Sequence, residues 1–257
     1  MLYIEIDGTQ VPVVRAEAEG RAGRIDGQPA RTREAKLGCV FTQTKPDEQG
    51  RPVRDEASTT YTGAIETAEQ FGRRIYTEAW ERGWSRAAKK VLLGDGANWI
   101  WNIGDQHFPG AIQIVDIWHA REHVWDLAAH LFPAEEKQRK RWARNRIKQL
   151  DAGRIEGLVE QLRAHPARQP KIREILRTEA EYFESNKKRM WYPRFRKLGF
   201  FIGSGVIEAG CKTVIGSRLK QSGMFWTVRG ANAIIALRGN RLSRKFEDYW
   251  ESRLRAA

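Results

Sequence analysis

The chain has only two cysteines, Cys39 and Cys211, and no apolar run that approaches the length of a membrane span. Two distant cysteines form neither a disulfide framework nor a zinc-binding pattern. A transmembrane helix needs about 20 consecutive apolar residues, and the N-terminus lacks the basic and apolar regions of a signal peptide. These absences argue against secreted disulfide-rich proteins and membrane-spanning proteins, and they predict a cytoplasmic, reducing environment.

Acidic residues are fewer than basic ones. The 45 Lys and Arg against 32 Asp and Glu give a formal net charge of +13, with a pI near 10.0. A soluble protein this basic is expected to bind a polyanion, and nucleic acid is the default candidate. The alternative is a basic protein whose charge serves only solubility. The length of 257 residues suits one large domain, or one domain with an insertion.

Hydrophobic periodicity predicts an alternation of strands and helices over the first half of the chain. Residues 2–9 alternate apolar and polar side chains, as a strand with two unlike faces does. Further strands are predicted at 36–43, 58–61, 91–95 and 111–116. Helices are predicted at 63–86, through Trp99 and Trp101, and at 117–131. Residues 19–33 are predicted to form an exposed loop. The order is therefore β-β-β-α-β-α-β-α.

This order predicts an α/β, ribonuclease H-like fold, with three antiparallel strands followed by two parallel strands that are joined through crossover helices. In that topology the first strand lies centrally, beside the fourth, so Asp7 and Asp95 are expected to be neighbours. Ligands of open α/β sheets bind outside the carboxyl ends of the parallel strands. Asp95 and Asp116 both stand at such ends.

The composition changes at residues 133–198, which carry 19 Lys and Arg against nine Asp and Glu. Recurring helical patterns there predict a basic insertion of about three helices, and we expect it to contact DNA. A solvated helical bundle is the alternative. The predicted organisation is thus a first part of the catalytic core at 1–132, the helical insertion at 133–198, and the completion of the core at 199–257. The last part carries a helix with Glu208 and a further helix from about Val228 to Arg241.

Three carboxylates, Asp7, Asp95 and Glu208, can be brought together by two strand ends and one helix. Carboxylate oxygens suit Mg²⁺, and two such ions can support an in-line phosphoryl displacement. From spacing alone the trio is only suggestive, because an Asp in the first strand can equally belong to the surface of an edge strand. Other acidic residues compete for the same site: Glu5, Asp105, Asp116 and Glu122.

Several motifs together resemble a known family. They are residues 3–9 (YIEIDGT), 35–41 (AKLGCVF), 91–97 (VLLGDGA), 116–119 (DIWH), 205–212 (GVIEAGCK) and 223–232 (GMFWTVRGAN). With them the chain resembles, over essentially its whole length, the catalytic part of bacterial insertion-sequence transposases of the DDE class. The likeness is to the ISKra type, which is related to Mutator-like transposases.

The resemblance implies that Asp7, Asp95 and Glu208 are the catalytic, metal-binding triad, with two Mg²⁺ or Mn²⁺ ions as cofactors. It also matches Asp116 and His119 to a (Cys/Asp)-x-x-His element, in which His119 acts at the catalytic site and Asp116 contributes to DNA binding. A helix-capping or core histidine is the alternative for His119. Transposases of this kind ordinarily carry an N-terminal region that reads the transposon ends, and we expect this chain to lack it.

Further DNA contacts are expected near the catalytic helix. Lys212, Arg218 and Lys220 are predicted to bind phosphates, as is Arg229. Trp226 can either stack on an unpaired base or simply be buried where the last helix begins.

The leading hypothesis is a DDE transposase that binds double-stranded DNA, the transposon ends and the target. We expect it to act as a homodimer or higher assembly associated with the nucleoid. One alternative is a structure-selective, metal-dependent nuclease, which would only hydrolyse DNA. The other is a non-catalytic DNA-binding remnant of a transposase.

Overall fold

A five-stranded mixed sheet forms the centre of the protein. The computed structural model describes residues 1–23 and 28–255. Its strands are β1 Leu2–Pro12, β2 Thr32–Thr42, β3 Thr60–Ala64, β4 Lys90–Gly94 and β5 Ile112–Val115, in the order β3-β2-β1-β4-β5. β1 pairs antiparallel with β2 and parallel with β4, while β2–β3 is antiparallel and β4–β5 is parallel.

The sheet is consistent with the predicted ribonuclease H-like fold, and β1 does lie beside β4. It is not a block of three antiparallel strands next to a separate parallel pair, because β1 also belongs to the parallel half. β1 therefore has hydrogen-bonded neighbours on both edges, and its residues Leu2 to Ile6 are buried.

Local chemistry shifts some predicted boundaries. β3 begins at Thr60 rather than at 58, because the Ser58 hydroxyl donates to the carbonyl of Asp55 and closes a turn there. The predicted helix at 63–86 begins only after Thr67, whose side chain forms a reciprocal capping box with Gln70. Part of the predicted loop at 19–33, residues 24–27, lies outside the described residues, and β2 begins before the end of that range.

Helices cover both faces of the sheet and fill the segment before the Glu208 region. In chain order they are α1 Ala68–Glu81, α2 Asn98–His107, α3 Ile117–Leu131, α4 Glu136–Asp151, α5 Ile155–Arg163, α6 Pro170–Asn186 and α7 Tyr192–Lys197. The stretch predicted to hold about three helices thus contains three long ones and the short α7. No helix among the described residues combines the length and apolarity needed to cross a membrane.

The C-terminal part returns to the sheet. It contains α8 Gly205–Gly210, a π-helical segment Cys211–Gly216, the short α9 Ser217–Leu219, α10 Val228–Leu242 and α11 Phe246–Arg255. α10 packs on β3, where the Asn232 side chain accepts from the backbone N–H of Ile65 and the Ser243 hydroxyl accepts from that of Tyr61. These contacts fix the end of the chain against the edge of the sheet opposite β5.

Candidate metal centre

The parallel pairing of β1 with β4 places Asp7 and Asp95 side by side. Glu5 pairs with Leu93 in the register of these strands, and two residues further along each strand are Asp7 and Asp95. The negative charge of Asp95 is close enough to raise the pKa of Asp7. Asp7 and Asp95 are therefore neighbours, as the order of elements predicts.

Asp7 is tied to the helical segment that follows α8. Its Oδ2 accepts from the Cys211 thiol at 3.3 Å, and its Oδ1 accepts from the backbone N–H of Gly8 at 2.6 Å. Burial raises the pKa of Asp7, and these two hydrogen bonds oppose that shift. Burial and the neighbouring Asp7 carboxylate also raise the pKa of the Cys211 thiol, which keeps the thiol protonated and able to donate.

Asp95 lies in a tight turn after β4. Tyr182 of α6 packs against this turn. The Asp95 carboxylate accepts from the backbone N–H of Ala97 at 2.8 Å, and the Asp95 carbonyl accepts from the Tyr182 hydroxyl at 2.9 Å. Gly96 has a φ of +105°, and a Cβ built on it would lie 2.6 Å from the Tyr182 ring. The chain therefore needs glycine at this position for both its backbone conformation and its space.

The most compact group of ligand atoms in the described residues is formed by Asp116, His119 and Glu208. One ligand atom from each lies within 4.8 Å of the other two. Asp116 is fully buried and caps α3 by accepting from the Trp118 backbone N–H at 2.8 Å. His119 is half-buried on the first turn of α3, with Nδ1 3.2 Å from Glu122.

Ser204 joins this group from the other side. Its hydroxyl donates to Asp116 Oδ2 and lies 3.3 Å from Glu208 Oε1. Ser204 stands at the N-cap position of α8 without a side-chain capping bond, because its hydroxyl is directed to Asp116. Burial raises the pKa of Asp116, and the bond from Ser204 opposes the rise.

Glu5 is a further carboxylate of this region, and the sequence placed it only among the competitors. It is fully buried, and its Oε2 accepts from the backbone N–H of Ile207 in the first turn of α8, at 2.9 Å. Its Oε1 is buried without a hydrogen-bond partner among the described residues. Burial raises the pKa of Glu5 to about 8, with further raising contributions from the charges of Asp116 and Glu208.

These carboxylates fit a divalent cation. Lys and Arg side chains of the described residues form no ion pair with any of Glu5, Asp7, Asp95, Asp116 and Glu208. Several negative groups without a cationic partner are costly to bury, so a bound metal would relieve their repulsion. Carboxylate oxygens suit Mg²⁺ and Mn²⁺, and an imidazole ligand is also accepted by transition metals.

The predicted triad and the compact group share one residue. Glu208 belongs to both, while Asp7 and Asp95 lie next to the group and outside it. The metal-binding role of Asp7 and Asp95 stays a prediction. Asp116, expected to contact DNA, is a buried helix cap, which favours a ligand role over direct contact with DNA.

The other competitors differ in position. Asp105 lies on α2, exposed, and accepts from the Gln113 side chain at 2.8 Å. Glu122 is exposed and touches the site only through His119. His123, one turn further on α3, stacks on the Tyr182 ring at 3.9 Å and pairs with Glu179 at 2.8 Å, so it takes part in packing α3 against α6.

The basic residues predicted to bind phosphate are on the surface. Lys212, Arg218, Lys220 and Arg229 are all exposed. Lys220 reaches back to the Thr9 hydroxyl on β1, two residues beyond Asp7, so its ammonium lies close to the strand ends. Their contacts with DNA stay predictions.

Trp226, which was expected to stack on a base, is less exposed than Trp118. Trp226 is half-buried against the core, and its Nε1 is buried, which favours the packing role that the sequence left open. Trp118 was not singled out, yet it is 57% exposed, directly precedes His119 and carries the Arg121 guanidinium 4.7 Å from its ring. Its position in the sequence, between Asp116 and His119, was the signal that could have identified it.

Comparisons with known proteins give little beyond the geometry. No protein-family model matches the chain, and no curated protein matches it. One similar solved structure is described as a Drosophila P element transposase strand transfer complex, at 11% identity and a TM-score of 0.31. The match covers 98% of this chain and 65% of that chain, so the present chain spans less than two thirds of that neighbour. A TM-score of this size supports no inference about this chain.

Proposed function

We propose that the chain is a DDE-type DNA transposase that cleaves DNA strands and transfers them, with divalent metal ions beside the middle of β1 and the ends of β4 and β5. The observation that carries the proposal is the convergence of carboxylates without cationic partners at this end of the sheet. The net charge of +13 supports a polyanionic substrate. Resemblance of the sequence motifs to insertion-sequence transposases supports strand transfer as the reaction.

In the proposed reaction, two bound Mg²⁺ or Mn²⁺ ions would stabilise the attacking and leaving oxygens of an in-line phosphoryl displacement. Asp116, His119 and Glu208 are the residues that would hold one ion, and Asp7 and Asp95 would complete the set. Ser204 donates its hydroxyl hydrogen to Asp116 and lies beside Glu208.

The surrounding residues would position the DNA. Lys220, beside Thr9 and near the strand ends, would bind a phosphate next to the scissile bond, and Arg218 would bind a neighbouring one. We further propose the division into a core at 1–132 and 199–257 with an insertion at 133–198, and action as a homodimer or higher assembly on DNA.

Two measurements test the proposal. Isothermal calorimetry with Mn²⁺ and a short DNA duplex would compare the wild type with Glu208→Gln and Asp95→Asn. A strand-transfer assay would then join a pre-cleaved duplex with a free 3′-OH to a supercoiled plasmid. Since loss of one metal-binding carboxylate removes several kcal/mol of transition-state stabilisation, we expect a fall of about 100-fold or more in joined product.

Matched controls come from exposed carboxylates elsewhere on the chain. Asp126→Asn on α3 and Glu160→Gln on α5 change the same groups on exposed helix positions, and both should keep wild-type activity. Metal-dependent hydrolysis without joined product would favour the structure-selective nuclease. DNA binding without any response to Mn²⁺ would favour the non-catalytic remnant and contradict the proposal.

A further inference from the structure

Helix α4 carries a row of exposed cations. Lys137, Arg141, Arg144 and Lys148, here called the α4 basic row, are spaced by four, three and four residues. At 3.6 residues per turn they fall within about 60° of one another around the helix axis. The buried Leu150 lies on the far side of the helix, so the row points away from the protein core.

Helix α4 carries seven of the 19 Lys and Arg of residues 133–198, and some cations elsewhere in this segment are paired with acidic neighbours. Arg177 pairs with Glu174 and Glu181 at 2.6 Å each, and Lys187 pairs with Glu184 at 2.6 Å. Among the described residues, no member of the α4 basic row takes part in an ion pair; the pairs recorded on α4 involve Lys140 and Asp151. The α4 basic row is therefore a line of four exposed cations on one helix face, without an acidic partner among the described residues.

The row borders a hollow of about 530 Å³. Lys140, Asn145 and Ile147 also line it. Ammonium groups, guanidinium groups and an amide can all donate hydrogen bonds to phosphate oxygens. The charged and amide groups around the hollow thus fit a phosphate backbone.

The length of the row matches several phosphates. With a rise of 1.5 Å per residue, its ends are about 16 Å apart along the helix. One DNA strand carries a phosphate for every 3.4 Å along the duplex axis, so the row spans roughly five phosphates of one strand. We propose that the α4 basic row binds the phosphate backbone of duplex DNA. The inference deepens the proposed function, since it names the part of the molecule that would hold the substrate away from the metal centre.

The test is the salt dependence of DNA binding by the full chain, measured with EDTA present so that catalysis does not contribute. Fluorescence anisotropy with a labelled duplex would compare the wild type with Arg141→Gln/Arg144→Gln. The control, Lys171→Gln/Arg173→Gln on α6, removes the same number of exposed cations from the same segment. Glutamine keeps the helix and removes only the charge.

Each lost phosphate contact lowers the slope of log K against log salt concentration by about 0.9. We therefore expect the α4 double variant to lose about 2 from the slope, and about 10- to 100-fold in affinity near 0.1 M salt. The control should change affinity less than about 3-fold, as expected for charges outside the interface.

An equal loss in both variants would overturn the proposal, because it would show a general effect of net charge. An unchanged slope in the α4 variant would overturn it as well. Selective loss of binding to duplex RNA, with duplex DNA binding intact, would assign the row to a different partner and so contradict the proposal. If the expected binding result is obtained and strand transfer still fails, the proposed function is contradicted. The assignment of the α4 basic row to DNA binding then stands.

Discussion

The strand ends and helix α4 both concentrate charge of one sign, but they place it in opposite environments. At the strand ends the carboxylates are buried or half-buried, and burial raises the pKa of Glu5, Asp7 and Asp116. On α4 the cations are exposed to water. A buried charge destabilises the fold until a partner compensates it, whereas an exposed charge costs little on its own.

This difference in burial predicts how each region responds to its ligand. Binding of a metal at the strand ends should change the stability of the protein, because it relieves a cost that is paid within the fold. Removal of cations from α4 should change the affinity and the salt dependence of DNA binding. It should leave the stability of the protein nearly unchanged, because the fold does not depend on those cations. The predictions below separate these two behaviours, beginning with the change expected to have the largest effect.

The first prediction concerns the turn that carries Asp95. Gly96→Ala forces an L-residue to a φ of +105° and places its Cβ against the Tyr182 ring. Backbone strain of about 1–2 kcal/mol and overpacking of about 1–3 kcal/mol should together lower the free energy of unfolding by about 3 kcal/mol, as measured by urea denaturation. Gly50→Ala, at a φ of +75° with nothing within 4 Å of the new Cβ, should show the backbone part alone. Equal losses in the two variants would contradict the packing role of Tyr182.

The second prediction is the stabilisation of the protein by Mn²⁺. At 100 times its dissociation constant a ligand specific for the folded state adds about 2.7 kcal/mol to the free energy of unfolding. We expect a rise of this size in the wild type and its loss in Glu208→Gln. Without metal and above about pH 8, where Glu5 is ionised, Glu208→Gln should instead be more stable than the wild type, since the negative charge of Glu208 acts against that of Glu5.

Thermal unfolding with and without Mn²⁺ checks both signs in one experiment. Glu160→Gln serves as the control and should leave the response to Mn²⁺ intact. A Glu208→Gln variant that is less stable without metal, and still responds to Mn²⁺, would show that the carboxylate cluster does not bind the ion.

The third prediction concerns the contact between α6 and the end of β4. Tyr182→Phe removes the hydroxyl that donates to the Asp95 carbonyl at 2.9 Å and keeps the ring against Gly96. Loss of one hydrogen bond should lower the free energy of unfolding by about 1 kcal/mol, measured by urea denaturation. Tyr76→Phe is the matched control, because no hydrogen bond of the Tyr76 hydroxyl to a described residue is recorded and its ring packs beside Phe108. A larger loss in the control would refute the assignment.

The smallest effect is expected on α4. Arg141→Gln/Arg144→Gln should change the free energy of unfolding by no more than about 0.5 kcal/mol, as is usual for surface substitutions. Relief of repulsion within the α4 basic row would make any change a gain. The same urea titration measures it, and a loss above 1 kcal/mol would mean that these arginines support the fold and that the contrast with the strand ends is wrong.

The sequence predicted the strand ends well because the signals there are local. Short apolar runs ending in Asp95 and Asp116 indicated buried parallel strands, and the order of elements alone placed Asp7 beside Asp95. The surplus of positive charge at residues 133–198 was also visible. The lack of ion pairs along the α4 basic row was not, because pairing depends on which residues the helices bring together.

The burial of Glu5 could not be predicted from its own strand. Alternation along β1 assigns Tyr3, Glu5 and Asp7 to one polar-looking face, but α8 covers that face and supplies the backbone N–H of Ile207, 202 residues away in the chain. The group of Asp116, His119 and Glu208 was likewise hidden. Spacing showed only that two of its members share the start of α3, and their meeting with Glu208 depends on where α8 packs.

The hydrogen bond between Tyr182 and the carbonyl of Asp95 joins residues 87 positions apart. Such a contact closes a large loop, and its entropic cost is offset only in the folded state. The turn that holds Asp95 is therefore supported by a helix that lies far from it in the sequence. A shortened protein made by deleting α4 to α7 would keep the sheet's strands and lose the support of this turn, so the helical insertion is part of what holds the candidate site in shape.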